Sequence, residues 1–313
     1  MLYLGIDTSN YTTSAAVYDS DVRAVVADCR IPLCVKEGEL GLRQSDAVFL
    51  HTQNLPSLFS ELSTLCDMRA IKAVGVSSKP RTLDGSYMPC FLSGVAVAKA
   101  VSCALCIPYF EFSHQQGHVM AAMFGCGFCD ETDMDFLAFH VSGGTTDGML
   151  CHLRGKELLI NQLCTSLDLF AGQAVDRVGK MLGLGFPAGP RLSAQAAQSD
   201  CVDFAKPSLK GGDCCLSGLE NKCKKMLDNG SSKADIARYC LVSISKTIGA
   251  MAAQMRRQHG MLDFIFAGGV MSSEVIRPIL SLEISKSFFC EPASLSSDNA
   301  VGIAVLCGRA AEI

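Results

Sequence analysis

The chain has 313 residues, of which 49% are hydrophobic and 19% are charged, and its formal net charge is −4. This composition excludes a largely disordered protein, and the length is sufficient for two domains with separate cores. The acidic balance argues against strong binding of nucleic acid by charge alone.

The apolar segments of the sequence indicate neither an export signal nor a membrane-spanning helix. No basic region followed by an apolar stretch comes after Met1, so no export signal is expected. The longest apolar run, residues 95–110, contains Lys99 and Pro108 and is too short to cross a bilayer. It predicts a buried helix that leads into a strand. We therefore expect a cytoplasmic protein without a membrane partner.

Strand-like and helix-like segments alternate along both halves of the chain. The predicted strands are residues 3–7, 14–18, 24–29, 73–76, 136–141, 148–153, 157–163, 264–267 and 287–290. The clearest helix is predicted at 233–259, because Ser232 can cap its start, Asp235 follows three residues later and Gly260 can end it. Residues 211–213 and 229–232 are predicted loops.

One short pattern occurs twice. A turn containing Asp7-Thr8-Ser9 and a turn containing Ser142-Gly143-Gly144 are each flanked by apolar strands. Such turns bring backbone N–H groups and hydroxyls close to an anion. The repeat predicts two related halves, residues 1–130 and 131–313, that face each other across a nucleotide cleft.

A third glycine-containing turn follows the predicted strand 264–267. Gly268-Gly269 lies between this strand and a helix, so a ring or a phosphate can approach the backbone there. By itself, a glycine pair between a strand and a helix is common and indicates no particular ligand. Together with the two hairpins it indicates the adenosine loop of an actin/hexokinase-type fold.

The sharpest chemical signal is the pair His114 and His118. Histidines four residues apart lie on one face of a helix and can share a metal ion, although such pairs also occur as ordinary surface residues. A zinc protease would need a glutamate after the first histidine, and Gln115 occupies that position. A protease is therefore set aside.

The cysteines and basic clusters give weaker signals. The chain has 17 cysteines scattered through apolar segments, which favours reduced thiols that act as small apolar side chains. One group has zinc-ribbon spacing, but its first pair lies in an apolar helical stretch, so chance spacing is favoured. Its members are Cys103, Cys106, Cys126 and Cys129. The basic clusters, which we interpret as solvated helix faces, are Lys222, Lys224, Lys225, Arg256 and Arg257.

Ordered motifs along the chain resemble those of a known family. They are Gly5-Ile6-Asp7-Thr8-Ser9, His114-x3-His118, Val141-Ser142-Gly143-Gly144, residues 171–183 and 186–190, Ser217-Gly218-Leu219, Gly268-Gly269-Val270 and Ser297-Asp298-Asn299-Ala300. Over nearly its whole length the chain resembles the TsaD/Gcp family, long described as O-sialoglycoprotein endopeptidases and now understood as tRNA threonylcarbamoyladenosine transferases. The resemblance implies an α/β, actin/hexokinase-like (ASKHA), duplicated two-domain fold with a nucleotide and metal cleft and with the last helix near that cleft.

The resemblance also implies site residues. His114, His118 and Asp298 match the metal ligands, a set suited to one Fe(II) or Zn(II) per chain. The residues that match the nucleotide site are Val141, Ser142, Gly143 and Gly144 at the phosphate, Asp176 at the ribose hydroxyls, and Gly189, Gly268, Gly269 and Ser273. The catalytic candidates are Asp7 and Tyr11, the second of which occupies the position of an acidic residue of the family.

The implied activity is metal-dependent transfer of a threonylcarbamoyl group from an adenylate to the tRNA adenosine next to the anticodon. The implied partners are tRNA and other tRNA threonylcarbamoylation proteins.

The departures from the family pattern lie close to the implied catalytic, metal and nucleotide residues. Tyr11 and Thr12 replace an acidic pair, and tyrosine, with a pKa of about 10, is a poor base at neutral pH. Further departures are Lys79-Pro80-Arg81 in place of Gly-Pro-Gly, Gln116 and Gln173 in place of acids, Ala188 in place of glycine and Ser273 in place of asparagine. The chain is thus interpreted as a divergent paralogue.

These departures leave two alternatives open, which are a carbamoyltransferase with a different acceptor and a non-catalytic nucleotide-binding partner of a true transferase. A sugar or acetate kinase is less favoured, because it has no use for the histidine pair.

Overall fold

The computed structural model describes residues 1–9, 11–34 and 42–312. Asn10, in the turn of the first predicted hairpin, lies outside them. The strands of the described part are β1 (Leu2–Ser9), β2 (Thr12–Asp19), β3 (Ala24–Pro32), β4 (Ile71–Lys79), β5 (Tyr109–Ser113), β6 (Asp133–Val141), β7 (Thr146–Arg154), β8 (Glu157–Cys164), β9 (Leu209–Lys210), β10 (Asp213–Cys214), β11 (Asp263–Ala267) and β12 (Ser287–Phe289). Its α-helices are α1 (Gln44–Leu65), α2 (Phe91–Leu105), α3 (His114–Gly125), α4 (Ala171–Met181), α5 (Gly189–Ala196), α6 (Ser217–Asp228), α7 (Lys233–His259), α8 (Ile276–Glu283) and α9 (Val301–Glu312).

The chain divides into two compact units. The first consists of Met1–Met134, Leu153–Leu158 and Ser297–Ile313, and the second of Asp135–His152 and Leu159–Ser296. The C-terminal helix α9 therefore belongs to the same unit as the N-terminal strands.

The first unit is built on a five-stranded sheet with the order β3-β2-β1-β4-β5. Strand β1 runs antiparallel to β2 and parallel to β4, and it is buried from Tyr3 to its end. Helix α9 packs directly on β1 at Gly5, where a Cβ atom would lie 2.5 Å from the carbonyl oxygen of Ala300. Only glycine allows this approach, so the segment before α9 is held against the end of the sheet that carries Asp7.

The second unit is built on a five-stranded sheet with the order β12-β11-β6-β7-β8. Strand β11 is parallel to both β6 and β12, and the stacked rings of Phe139, Phe264 and Phe266 fill the core between strands and helices. Helix α7 starts as predicted, because the Ser232 side chain accepts a hydrogen bond from the backbone N–H of Asp235. These elements give the unit a mixed α/β layer structure.

Most predicted elements are confirmed within one or two residues. The run 95–110 contains the end of helix α2 and the start of strand β5, as predicted. The prediction that this helix is buried is wrong, because Ala98 is the only buried residue among 95–105. The prediction of a loop at 211–213 is wrong in part, because Asp213 begins β10 and pairs with Lys210 of β9. Two-residue strands carry no periodicity from which they could be predicted.

Many cysteine side chains are buried in the two cores, which confirms that they act as small apolar side chains; examples are Cys151, Cys223, Cys240 and Cys307. Cys103 and Cys106, by contrast, are exposed. Within residues 1–9, 11–34 and 42–312, no helix has the length and apolar character needed to cross a membrane.

Candidate metal centre and nucleotide loops

The histidine pair lies at the start of helix α3. The Ser113 side chain accepts a hydrogen bond from the backbone N–H of Gln116 at 3.1 Å, and the Gln116 side chain accepts one from the backbone N–H of Ser113 at 2.8 Å. This capping box makes His114 the first helical residue and puts His118 one turn later on the same face. The Gln116 amide also donates to the carbonyl oxygen of Leu158 at 2.8 Å, which a carboxylate could not do.

His114 and His118 meet Asp298 at one point of the first unit. Their Nε2 atoms are 2.9 Å apart, and Oδ1 of Asp298 lies 3.3 Å from Nε2 of His118 and 3.7 Å from Nε2 of His114. In the described part of the chain this is the only group of three or more His, Cys, Asp or Glu side chains arranged to share one ion. The cysteines with zinc-ribbon spacing do not form such a group.

The donor set fits a transition-metal ion. Two imidazoles and one carboxylate are a ligand set accepted by both Fe(II) and Zn(II), and three protein ligands leave positions open for substrate. With metal–ligand bonds of about 2.0–2.1 Å, neighbouring ligand atoms lie roughly 2.9–3.4 Å apart. The separations at His118 match this range, and the imidazole of His118 is only 4% exposed. Two Nε2 atoms so close together hold at most one proton between them, and a cation bound to both would remove the repulsion between their lone pairs.

Asp7 lies behind His114 and orients its ring. Its Oδ1 atom is 3.0 Å from Nδ1 of His114, and its carboxylate also accepts hydrogen bonds from the hydroxyls of Ser77 and Ser9. A proton on Nδ1 that is donated to Asp7 leaves the Nε2 lone pair of His114 for a metal. Asp7 thus contacts one ring nitrogen of His114, and the other ring nitrogen faces the point where a metal could bind.

The charges of this group are strongly coupled. Burial alone would lower the pKa of His114, but the attraction and hydrogen bond of Asp7 raise it to about 9 in the metal-free protein. Burial would raise the pKa of Asp7, yet the His114 charge and the hydrogen bonds lower it below its ordinary value. Burial and repulsion by His114 lower the pKa of His118. At neutral pH and without a metal, His114 is therefore positively charged and His118 is neutral.

Tyr11 lies at the turn between β1 and β2 and is 38% exposed. Burial and the negative charge of Asp298 raise the pKa of its phenol above the ordinary value. At neutral pH the phenol is protonated, so it can donate a hydrogen bond but cannot accept a proton as a base.

His51 of α1 is a buried residue of this region that the sequence analysis did not identify. Its Nδ1 atom lies 2.9 Å from the hydroxyl of Thr13, which also accepts a hydrogen bond from the Asn54 amide at 3.2 Å. These contacts fix the start of β2 directly after the turn that holds Tyr11. No motif marks His51, because its partners lie about 40 residues away in the sequence.

In the second unit, residues 142–145 form a tight turn between β6 and β7. The backbone N–H of Ser142 donates to the carbonyl oxygen of Thr145 at 2.9 Å, and the two hydroxyls are 2.7 Å apart. Gly143 and Gly144 are exposed, and a Cβ atom on either would meet open space. The backbone at both glycines is therefore accessible to an anionic group.

The N-terminus of helix α4 packs on this turn. The backbone N–H of Gly172 donates to the carbonyl oxygen of Ser142 at 3.1 Å, and the N–H of Ala171 donates to the hydroxyl of Thr146 at 2.8 Å. A Cβ atom on Gly172 would lie 2.5 Å from the carbonyl oxygen of Ser142. The glycine therefore brings the positive end of the helix dipole against the turn.

The remaining predicted nucleotide residues lie in the same unit and are joined to this turn by contacts. Gly268 has φ 95°, and a Cβ atom there would overlap the backbone of Val141, so the Gly268-Gly269 turn lies beside the end of β6. The hydroxyl of Ser273 is 3.0 Å from that of Ser193 on α5. The two turns and α5 thus come together at one end of the sheet.

Asp176 of α4 is linked to the start of α5. Its carboxylate accepts a hydrogen bond from the backbone N–H of Ala188 at 2.8 Å, immediately before Gly189, and burial raises the pKa of Asp176. Asp176 and Gly189 are accordingly neighbours, as the nucleotide assignment requires. The structure brings the predicted residues together in two sets: Asp7, Tyr11, His114, His118 and Asp298 in the first unit, and the nucleotide candidates in the second.

The chain is similar to known proteins over most of its length. The TsaD family model, described as tRNA N6-adenosine threonylcarbamoyltransferase, matches residues 41–305. A protein of that name from Aromatoleum aromaticum is 27% identical over 318 residues, which cover 97% of this chain and 90% of the relative. Another from Ralstonia pickettii is 30% identical over 306 residues, which cover 91% of this chain and 84% of the relative.

Solved structures share the fold at low identity. HypF from T. kodakarensis has a TM-score of 0.63 at 12% identity, covering 99% of this chain and 48% of that protein. Component A of the (R)-2-hydroxyglutaryl-CoA dehydratase of Acidaminococcus fermentans has a TM-score of 0.61 at 15% identity, covering 100% of both chains. A ROK family glucokinase from Streptomyces griseus, in complex with glucose and AMPPNP, has a TM-score of 0.54 at 12% identity, covering 99% of this chain and 100% of that chain. These likenesses confirm the predicted actin/hexokinase-like α/β fold.

Proposed function

The chain belongs to the TsaD family of tRNA N6-adenosine threonylcarbamoyltransferases, and from that premise we propose that it is a metal-dependent transferase acting on the adenosine next to the anticodon of tRNA. The donor is threonylcarbamoyl-adenylate. The observation that carries the proposal is the His114–His118–Asp298 group, with Asp7 behind it.

The reaction is an acyl transfer from a mixed anhydride. The N6 amine of the adenosine attacks the carbonyl carbon of the threonylcarbamoyl group, and a new C–N bond forms. The bond between that carbon and the phosphate oxygen breaks, AMP leaves with the electron pair, and the amine loses one proton to solvent. Positioning and stabilisation of the leaving phosphate are the contributions that a protein can make to such a step.

The first unit, which contains residues 1–130 and the returning segment with Asp298, is assigned to the acyl end of the donor. A bound Fe(II) or Zn(II) would supply Lewis-acid polarisation of the acyl group there. Asp7 holds the His114 ring through Nδ1, and Ser77 and Ser9 hold the Asp7 carboxylate in turn. Tyr11 is assigned as a hydrogen-bond donor beside this group, since its phenol remains protonated at neutral pH.

The second unit, within residues 131–313, is assigned to the adenylate. The accessible backbone at Gly143 and Gly144, next to the α4 N-terminus, is suited to the phosphate. The carboxylate of Asp176 is suited to the ribose hydroxyls, and the turn at Gly268 and Gly269 is suited to the flat adenine ring. Val141, Gly189 and Ser273 complete this set.

The acceptor and partners follow from the reaction. With a formal net charge of −4, the chain lacks the positive charge that would bind tRNA strongly by itself. We therefore assign part of the tRNA contact to other proteins of tRNA threonylcarbamoylation. We assign the reaction to the cytoplasm.

The test is the amount of threonylcarbamoyladenosine in bulk tRNA from cells that have been depleted of their own transferase. These cells receive the chain, its His114→Ala variant, or a His152→Ala variant as a matched control. His152 lies in the second unit, where its Nδ1 atom is 2.8 Å from Oδ1 of Asp135, and it has no contact with the metal group. Modification is expected with the chain and with His152→Ala, and it should be lost with His114→Ala.

A failure to restore the modification would contradict the proposal. If the soluble chain restores no modification while the other synthesis factors are intact, tRNA transfer is excluded. The departures at Tyr11 and Thr12 would then favour a carbamoyltransferase with a different acceptor or a nucleotide-binding partner. Binding of an adenylate without any metal would favour the second of these.

A further inference from the structure

A lysine ends strand β4 beside the metal group. Lys79 follows Ser77 by two residues, and the Ser77 hydroxyl donates a hydrogen bond to Asp7. In the register of β4 and β5, Lys79 pairs with Ser113, the residue directly before His114. The backbone therefore places Lys79 next to the first turn of the metal-ligating helix.

The segment after Lys79 is tied to the same helix. The carbonyl oxygen of Pro80 accepts a hydrogen bond from the backbone N–H of Gln115 at 3.0 Å. The hydroxyl of Thr82 lies 3.0 Å from that of Ser113. Lys79 is thus anchored by strand pairing at its own position and by two contacts just beyond it, so its location relative to α3 is fixed.

In the part of the chain that the structure describes, the ammonium group of Lys79 has no anionic partner. The residue is partly buried, yet over residues 1–9, 11–34 and 42–312 its Nζ atom makes neither a hydrogen bond nor an ion pair. Lys246, which is also partly buried, is paired with Glu283. A partly desolvated cation is stabilised when an anion binds to it, so Lys79 is a ready position for an anionic ligand group.

The charge balance of the metal group also favours binding of an anion near Lys79. The carboxylates of Asp7 and Asp298 together neutralise a divalent ion, and the metal-binding imidazoles are neutral. The ammonium of Lys79 then leaves this region with net positive charge, which attracts an anion.

We propose that Lys79 determines donor specificity by binding the free carboxylate of the threonylcarbamoyl group through a charge-assisted hydrogen bond. This inference rests on the proposed function, because it concerns the same donor. The donor has two anionic groups. Its phosphate is assigned to the turns of the second unit, whereas its carboxylate lies at the acyl end, which is assigned to the metal group that Lys79 adjoins.

The experiment uses two stable analogues of the donor in which a sulfamate replaces the phosphate. One carries the threonylcarbamoyl group, and the other is made from 1-aminopropan-2-ol and lacks only the carboxylate. Their affinities for the zinc-loaded full-length chain are measured by titration calorimetry. The variants are Lys79→Met, Lys79→Arg, which retains the charge, and Lys72→Met. Lys72 is an exposed lysine near the other end of the same strand and serves as the matched control.

The unaltered chain is expected to bind the carboxylate analogue roughly tenfold to hundredfold more tightly than the other, the range of a charged hydrogen bond. Lys79→Met should lose this preference while its affinity for the second analogue stays unchanged. Lys79→Arg should retain most of the preference, and Lys72→Met all of it. Zinc content and thermal unfolding of each variant establish that the fold and the metal group are intact.

Two results overturn the inference alone, namely equal binding of both analogues by the unaltered chain, or a full preference that survives in Lys79→Met. Failure of the unaltered chain to bind either analogue overturns the proposed function together with it. The two failures are therefore distinguishable in one set of titrations.

Discussion

Oδ1 of Asp7 lies 3.0 Å from Nδ1 of His114, on the side of the imidazole ring opposite to the Nε2 atom that contacts His118. Asp7 is at the end of a buried strand and His114 begins a helix more than a hundred residues later. Their contact joins the sheet of the first unit to its metal group. The carboxylate therefore controls both the orientation and the protonation of His114, the first of the proposed metal ligands.

Replacement of Asp7 by asparagine tests this control. Asp7→Asn keeps the shape of the side chain but removes the charge that orients and polarises His114, so zinc affinity should fall about tenfold to hundredfold. Competition with a chromophoric chelator measures this affinity. Asp84→Asn, in an exposed loop, is the matched control and should have no effect. Unchanged affinity in Asp7→Asn would show that the contact is not coupled to the metal.

Metal binding should depend on pH. In the metal-free protein the pKa of His114 is raised to about 9, so below that pH zinc must displace a proton from this residue. Affinity should therefore rise with pH and level off above pH 9, with release of about one proton from His114 at neutral pH. Calorimetry in two buffers of different ionisation enthalpy measures that release. In Asp7→Asn the proton is held less tightly, and less of it should be released.

Two glycines allow helices α3 and α9 to cross in close contact. A Cβ atom on Gly302 of α9 would overlap the carbonyl group of Gly117 and would lie 2.7 Å from the backbone nitrogen of Ala121. Gly302→Ala should therefore separate the helices, lower the free energy of unfolding by about 1–3 kcal/mol and weaken zinc binding, because Asp298 precedes α9. Chemical denaturation and zinc titration measure the two effects.

The control for this change is Gly218→Ala in α6, where a Cβ atom would meet open space. It should leave zinc affinity unchanged and increase helix stability slightly, by at most about 1 kcal/mol. Equal effects of the two substitutions would contradict the packing argument.

Two glycine substitutions near the turn 142–145 distinguish an effect on stability from an effect on adenylate binding. Gly172→Ala places a Cβ atom 2.5 Å from the carbonyl oxygen of Ser142, so it should reduce stability by about 1–3 kcal/mol as well as adenylate binding. Gly143→Ala has open space around the new methyl group and should leave stability within about 0.5 kcal/mol. The methyl group would nevertheless obstruct the phosphate, so affinity for the sulfamate analogue should fall. Retained affinity in Gly143→Ala would exclude the turn as the phosphate site.

Features that depend on local pattern can be predicted from the order of the amino acids. The strands, helix α7 with its Ser232 cap, the glycine turns and the pairing of His114 with His118 all follow from spacings of a few residues. Periodicity and capping act over one or two turns of chain, so they can be read without knowledge of the fold. Asp298 and the nucleotide residues came from ordered motifs shared with a family, and local chemistry alone would not have selected them.

Contacts between residues that are distant in the sequence, by contrast, are established by the folded chain. Asp7 reaches His114, His51 reaches Thr13, and α9 joins the N-terminal unit through the close approach at Gly302. These contacts link residues that are tens to hundreds of positions apart, and burial and charge act on them only after the chain has folded. The raised pKa of His114 is the clearest case, because a histidine has no such pKa until the sheet brings a buried carboxylate against its ring.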